Sequence, residues 1–191
     1  LKINPVFHLS AITKRGDALF QTATIGGRFM AETDTAQICA LRTEAAIWTA
    51  LETAVREPVA VYVTPSCGGM YNARVSLRQR VPGEARNAIA AVFGSIADTK
   101  HVFVTDDDID IFSDAQVDWA LATRFQADRD MVVATGFRAV PLDPSLQGLR
   151  AGAKAGFDLT VPFGRLGEQE FSIPAPPQLS QAPAQSLIEA L

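Results

Sequence analysis

The chain is 191 residues long, 48% hydrophobic and 20% charged, so it has the length and apolar content for one globular domain with a substantial core. A net charge of −4, from 21 Asp and Glu against 17 Lys and Arg, offers no broad basic surface for phosphates and disfavours nucleic acid as a partner. No apolar run approaches the roughly 20 residues that span a bilayer, no charged-then-apolar leader opens the chain, and Cys39 and Cys67 lack metal-ligand spacing, so buried thiols and a cytoplasmic location are expected.

Residues 6–13 alternate like a strand, Lys14-Arg15-Gly16-Asp17 supplies a turn, and residues 19–24 return as a second strand. A hairpin turn explains Arg15-Gly16-Asp17 better than an adhesion motif, because three residues match by chance often. Asp34 with Gln37 forms a capping-box pattern. Ile38, Leu41, Ala45, Trp48, Leu51 and Val55 then fall on one face of a helix that ends before Pro58. Residues 59–64 read as a short apolar strand, 65–69 as a flexible loop, and 71–78 as a strand from which Arg74 and Arg78 project. Pro82 opens a second helix with Ala85, Ile89, Val92 and Ile96 inward. Residues 101–105 are the next strand, Ser113 with Gln116 caps a third helix lined by Val117, Ala120 and Leu121, and residues 131–135 are the last strand. Strands alternating with helices, with hairpin-like neighbours at 11–24 and 59–78, predict an α/β fold with a mixed β-sheet flanked by helices. Past Thr160 the composition shifts, and Ile173-Pro174-Ala175-Pro176-Pro177 cannot supply ladder hydrogen bonds. A single domain at 1–163 is therefore expected, followed at 164–191 by an extended Pro-rich linker and a terminal segment. Residues 186–191 are amphipathic but too short to be stable alone, which leaves docking on a neighbouring protomer or a frayed end.

Three constellations could carry chemistry. The strand from His101 runs into Asp106-Asp107-Asp108, with Asp110 and Asp114 close behind. Carboxylates at the carboxyl edge of a sheet can hold a hard divalent cation, as in metal-dependent glycosyl transfer, or can cap turns and meet arginines. The second role is the commoner one and is favoured here. Ser66-Cys67-Gly68-Gly69 looks like a nucleophile loop, but His8 and His101 alone exist to activate a thiol. Gly26-Gly27 lacks the third glycine of a dinucleotide fingerprint and reads as a turn.

Taken in order, Asp106-Asp107-Asp108-Ile109-Asp110-Ile111-Phe112-Ser113-Asp114, the helix after it and Asp128-Arg129-Asp130-Met131-Val132-Val133 resemble the C-terminal domain of the UbiD-type decarboxylases. Ala11-Ile12-Thr13-Lys14-Arg15 is similar to that family's entry strand, and Gly26-Gly27-Arg28 with Met30-Ala31-Glu32-Thr33-Asp34-Thr35 to its Gly-rich turn and first long helix. Lys154-Ala155-Gly156-Phe157-Asp158-Leu159-Thr160 is similar to its Lys-x-Gly-apolar-Asp-x-Thr element, so the likeness covers roughly residues 6 to 163. The family's histidine after Asp-Thr is absent, which puts a cofactor or interface role for Glu32 and Asp34 in doubt.

The resemblance implies a domain of a prenylated-FMN-dependent carboxy-lyase of aromatic or α,β-unsaturated acids. The flavin, its divalent metal and potassium, and the catalytic acid belong to a larger preceding domain, whose Glu-Gly-Pro-x-Gly-Glu/Asp element does not occur here. No cofactor, metal or catalytic residue is therefore expected within this chain. A start at Leu1 without methionine adds to the expectation of a C-terminal piece, inactive alone, that closes the substrate pocket and mediates oligomerisation. Its expected partners are the N-terminal flavin-binding domain or a separate catalytic subunit, further copies of itself and a small carboxylic acid. A freestanding assembly subunit would have the same sequence. A glycosyltransferase is the weaker alternative, because residues 1–100 carry the decarboxylase-like pattern instead of a nucleotide-binding half. By resemblance Thr99, His101, Met70, Tyr71 and Leu142 are candidate substrate-pocket residues, with His101 where the family usually has an aromatic ring.

Overall fold

The computed structural model describes residues 3–19, 27–168 and 170–172, and five strands form one sheet in the order β1-β2-β3-β5-β4. The strands are β1 (Pro58–Val63), β2 (Asn72–Leu77), β3 (His101–Asp106), β4 (Met131–Arg138) and β5 (Ala151–Asp158). The three central strands β2, β3 and β5 run parallel, while β1 and β4 pair antiparallel at the two outer edges. The expected mixed α/β sheet is thus observed. Its parallel centre gives the molecule an amino edge and a carboxyl edge with different chemistry.

Among the described residues four α-helices flank the sheet: α1 (Asp34–Ala54), α2 (Glu84–Ser95), α3 (Asp114–Arg124) and the single turn α4 (Ala127–Asp130). Helices α1 and α2 cover one face, where Ile47, Leu51, Ile89 and Val92 pack on Val63, Val75, Val102 and Val104. On the other face Val117 and Ala120 of α3 meet Ile109 and Leu159, against Phe103 and Phe157. Burying such residues contributes about 1.5–3 kcal/mol for each large aliphatic side chain, so the sheet is held from both sides.

The face of α1 differs from the expected one. Ala36, Ala40, Thr43, Ile47 and Leu51 face the core, whereas Ile38 and Leu41 are 68% and 69% exposed and Trp48 is also exposed. The cause is close approach. Gly69, at φ +65°, lies so near the helix that an added Cβ would sit 2.2 Å from the Ala36 carbonyl oxygen and 2.4 Å from the Ala40 nitrogen. Only a helix face of small residues admits that contact, so the bulky apolar stripe rotates outward. Residues 65–69 are correspondingly an ordered turn, since Thr43 Oγ1 donates to the Gly69 carbonyl at 2.9 Å.

Neither capping box forms as expected. Thr33, not Asp34, is the N-cap of α1, its Oγ1 accepting from the Ala36 amide, while the Gln37 side chain donates to the Ala31 carbonyl. Ser113 does cap α3, but Gln116 accepts from the Asp110 amide instead of reaching back to Ser113. Helix α2 starts two residues after Pro82, on Gly83 as N-cap.

Residues 3–19 hold a turn at Gly16-Asp17, where Arg15 pairs with Asp17, and no strand. Val6, Phe7, Leu9 and Ile12 are exposed there. Alternation supplied two faces, but a strand also needs a ladder partner, and the expected partner at 20–24 lies outside the described residues. Of the linker and terminal segment expected at 164–191, residues 164–168 and 170–172 run through turns and the rest lies outside the described residues, as does the glycine at 26. Strand β5 was not expected as a strand at all, although it is a central one. Its Ala- and Gly-rich sequence carries little β-propensity; Gly156 is needed because a Cβ there would lie 2.4 Å from an Ile89 side-chain carbon.

Candidate functional site

The amino edge gathers the candidate pocket residues. The Tyr71 carbonyl accepts from the backbone amides of Lys100 and His101, at 2.8 and 2.9 Å, which fixes the loop before β2 against the start of β3. Lys100 Nζ donates to Asp143 Oδ2 at 2.9 Å and to Ser145 Oγ at 2.7 Å, and so draws the β4–β5 connection, with Leu142, to the same edge. Asp143 also caps the short turn at Pro144–Leu146 by accepting from the Ser145 amide. Burial alone would raise the Asp143 carboxyl, but the bonds from Lys100 and Ser145 outweigh it and hold it below the ordinary range. Lys100, Asp143 and Ser145 are the parts that the sequence reading missed; the Lys100 of Thr99-Lys100-His101 was its only trace.

Met70, Tyr71 and Leu142 line one cavity of about 410 Å³ with Met30, Ala36 and Cys39. Among the described residues no charged side chain lines it. Thr99 is elsewhere. It is fully buried, its Oγ1 has no hydrogen-bond partner among the described residues, and with Tyr71, Lys100 and Lys154 it lines a neighbouring cavity of about 20 Å³, room for a single water. Burial raises the Tyr71 hydroxyl above its usual value, helped by Asp143 and Asp98. His101 lies at the same edge but lines neither cavity. Its ring faces Phe157 on the α3 side, and its Nδ1 lies 2.8 Å from Asn72 Oδ1. Burial, then the nearby Lys100, lowers its pKa, and Asp143 opposes this in part.

The carboxyl edge carries the acidic run, and cations and amides engage it. Asp106 accepts from Gln79 Nε2 at 2.8 Å and from the Val161 amide at 2.6 Å. Asp107 takes Arg78, Asp108 takes both terminal nitrogens of Arg124 at 3.0 and 2.6 Å, and Asp110 accepts from the Phe112 amide. Burial raises the pKa of Asp106 against those hydrogen bonds. Among the described residues no group of three or more His, Cys, Asp or Glu side chains is placed to hold a metal ion. This geometry is that of turn caps and ion pairs. Cys67 has no base against it; its Sγ accepts from Asn72 Nδ2 at 3.0 Å.

A mixed five-stranded sheet between helices, with an apolar cavity at its amino edge and self-satisfied carboxylates at the other, defines an α/β domain of the decarboxylase type named by the sequence motifs. Residues 36–159 match the model of the 3-octaprenyl-4-hydroxybenzoate carboxy-lyase C-terminal domain, and the chain belongs to that family. It is 42% identical over 121 residues to anhydromevalonate phosphate decarboxylase of Aeropyrum pernix, covering 63% of this chain and 27% of that protein. Gallate decarboxylase of Lactiplantibacillus plantarum is 31% identical over 171 residues, 83% of this chain and 34% of its own length. Among solved structures, the UbiD-class enzyme HmfF of Pelotomaculum thermopropionicum, in complex with FMN, has a TM-score of 0.70 at 34% identity, covering 78% of this chain and 34% of that one. The 3,4-dihydroxybenzoic acid decarboxylase of Klebsiella pneumoniae gives 0.68 at 27% identity, covering 80% and 33%. The chain thus spans about a third or less of the length of these relatives.

Proposed function

We propose that this chain is the C-terminal domain of a non-oxidative decarboxylase of aromatic or α,β-unsaturated carboxylic acids, in which it closes one side of the substrate pocket and holds subunits together. The observation that carries the reading is the cavity at the amino edge, because Met70, Tyr71 and Leu142, separated by up to 72 positions, converge on it in a domain of this family. An uncharged wall of thioether, aromatic and aliphatic groups suits the ring of such an acid. It does not suit the phosphate of a flavin. Prenylated FMN, a divalent metal and potassium are therefore assigned to the part of the enzyme that precedes this domain. When bound, the modified flavin supplies the electron sink that loss of carbon dioxide requires. Met70, Tyr71 and Leu142 exclude water and orient the ring, while Thr99 and His101 share the amino edge but lie outside that wall. The exposed stripe of Ile38, Leu41 and Trp48 supports a face of α1 that is covered in the whole protein.

The test uses the intact protein, loaded with prenylated FMN and offered a panel of aromatic and unsaturated acids, with release of carbon dioxide as the readout. Turnover is expected for the holoenzyme and none for the 191-residue chain alone. Met70→Trp and Leu142→Trp should shift preference to smaller acids. Turnover by the chain alone, or none by the holoenzyme with any acid, overturns the reading.

A further inference from the structure

Residues 140–149, between β4 and β5, carry Leu142 and Pro144 to the wall of the 410 Å³ cavity. The hydrogen bonds of this segment close on itself. The Asp143 amide donates to the Val140 carbonyl, Leu146 to Asp143, Gln147 to Pro144 and Leu149 to Leu146, while Asp143 Oδ1 accepts from the amide and the hydroxyl of Ser145. Among the described residues, the hydrogen bonds that tie the segment to the rest of the domain come from Lys100 alone, whose Nζ reaches Asp143 Oδ2 at 2.9 Å and Ser145 Oγ at 2.7 Å. Lys100 is itself a fixed anchor. Its amide donates to the Tyr71 carbonyl at 2.8 Å and its carbonyl accepts from the Ala155 amide at 3.0 Å, so the start of β3 is held on both sides. One residue thus seats two parts of the same wall, Tyr71 through its backbone and Leu142 with Pro144 through its side chain.

Resting on the decarboxylase reading above, the geometry points to Lys100 as a positioning residue: its clasp on Asp143 and Ser145 sets how wide the cavity stands, and so the bulk of the acid it admits. Leu142 is 74% exposed, so its own packing does not hold the wall in place. The clasp can, because the side chains of Asp143 and Lys100 are only 10% and 30% exposed, and a part-buried pair is screened less than one at the open surface. The rival anchor is Leu146, whose Cδ2 lies 2.6 Å from where a Cβ on Gly152 would stand. That contact pins the segment to β5, but Leu146 does not line the 410 Å³ cavity, and Leu142 and Pro144 precede it.

Hydrogen–deuterium exchange on the intact protein reads the clasp without any turnover. Lys100→Met keeps the aliphatic stem and removes the ammonium. It should speed exchange at the amides of Asp143, Ser145, Leu146 and Gln147 about tenfold, the factor that one charge-assisted hydrogen bond is worth, while α1 and α2 stay protected. Lys100→Arg, which keeps the charge, should restore part of that protection. Calorimetry on the holoenzyme then compares benzoate with the bulkier biphenyl-4-carboxylate. Lys100→Met should move the ratio of their dissociation constants about tenfold toward the bulkier acid, and Lys100→Arg should move it less. Leu146→Ala separates the rival anchor, because it should leave the Asp143 amide protected. Exchange unchanged in Lys100→Met, exchange raised throughout the chain, an equal effect of Leu146→Ala at Asp143, or a loosened segment with an unmoved ratio each overturns the inference. If exchange responds as stated but neither acid binds the native protein or the variant, the clasp stands and the decarboxylase reading falls.

Discussion

Gly69→Ala tests the most demanding contact in the fold. The residue sits at φ +65°, in the left-handed region, where replacing glycine costs about 1 kcal/mol. Its new Cβ would also lie 2.2 Å and 2.4 Å from backbone atoms of α1, which cannot swing aside as a side chain can. Overpacking of that kind adds about 1–3 kcal/mol, so a loss of about 3 kcal/mol is expected. For a domain of this size that is about 6–12 °C in Tm, read by calorimetry and by urea titration with unchanged m. Gly68→Ala is the control. It has φ +73°, but its Cβ would meet the mobile end of Met30, at 2.9 Å from Sδ, so about 1 kcal/mol and 2–4 °C are expected. Equal losses at the two glycines would refute the claim that α1 presents small residues because Gly69 must approach it. Met70 and Tyr71 follow directly, so Gly69→Ala should also weaken ligand binding at the cavity.

Arg124→Met leaves the buried Asp106 and the exposed Asp108 without their cation and is expected to cost about 3–5 kcal/mol, with Asp106→Asn in the same chain recovering part of it by urea titration. Glu84 is buried and accepts from the amides of Arg56, Arg80 and Val81, bonds that outweigh burial and lower its pKa. A carboxyl with a depressed folded pKa stabilises above its unfolded pKa, about 4.3, and loses that stabilisation as pH falls through the folded one. Glu84→Gln should therefore lower stability at pH 7 by about 1–3 kcal/mol and flatten its fall between neutral and acid pH. Lys154 Nζ donates to the Phe93 and Ile96 carbonyls at the end of α2, and burial lowers its pKa. The unfolded chain then binds more protons between the lowered value and about 10.4, so the native chain should gain stability with rising pH in that window relative to Lys154→Met, followed by thermal melts.

Much of the local structure was legible because its signals are local. Strands β1, β2 and β3, the end of α1 before Pro58 and the Ser113 cap all follow from propensity, proline and short-range hydrogen bonding. What escaped depends on contacts distant in sequence. Strand β5 is a strand because Gly156 lets it pass Ile89 and because β3 and β4 pair with it on either side. The buried face of α1 is set by a glycine more than twenty residues later. The family resemblance named Thr99 and His101, but Lys100 reaches Asp143 across 43 positions, and no spacing rule encodes that pair. The strand expected at 6–13 failed for the converse reason, a local pattern without a partner among the described residues.

The two edges of the parallel sheet show why its most conspicuous residues are not those of its candidate site. At the carboxyl edge each member of the Asp106-Asp107-Asp108 run meets an arginine or an amide, so the cluster is spent on holding β3 to α3 and to the segment after β5. At the amino edge the sequence is plain, yet there the fold leaves groups unspent: the buried hydroxyl of Thr99, the open Nε2 of His101 and an uncharged cavity of about 410 Å³. A buried polar group without a partner costs about 1–3 kcal/mol, and among the described residues Thr105 Oγ1 and Arg124 Nε at the carboxyl edge share that state with Thr99 Oγ1, so it is the uncharged cavity that sets the amino edge apart. Paired charges hold the domain together at its carboxyl edge, and the binding surface proposed above is the cavity at the other. Substitutions at the carboxyl edge should therefore register in stability before binding, and those at Met70 and Leu142, which line the cavity, in binding before stability.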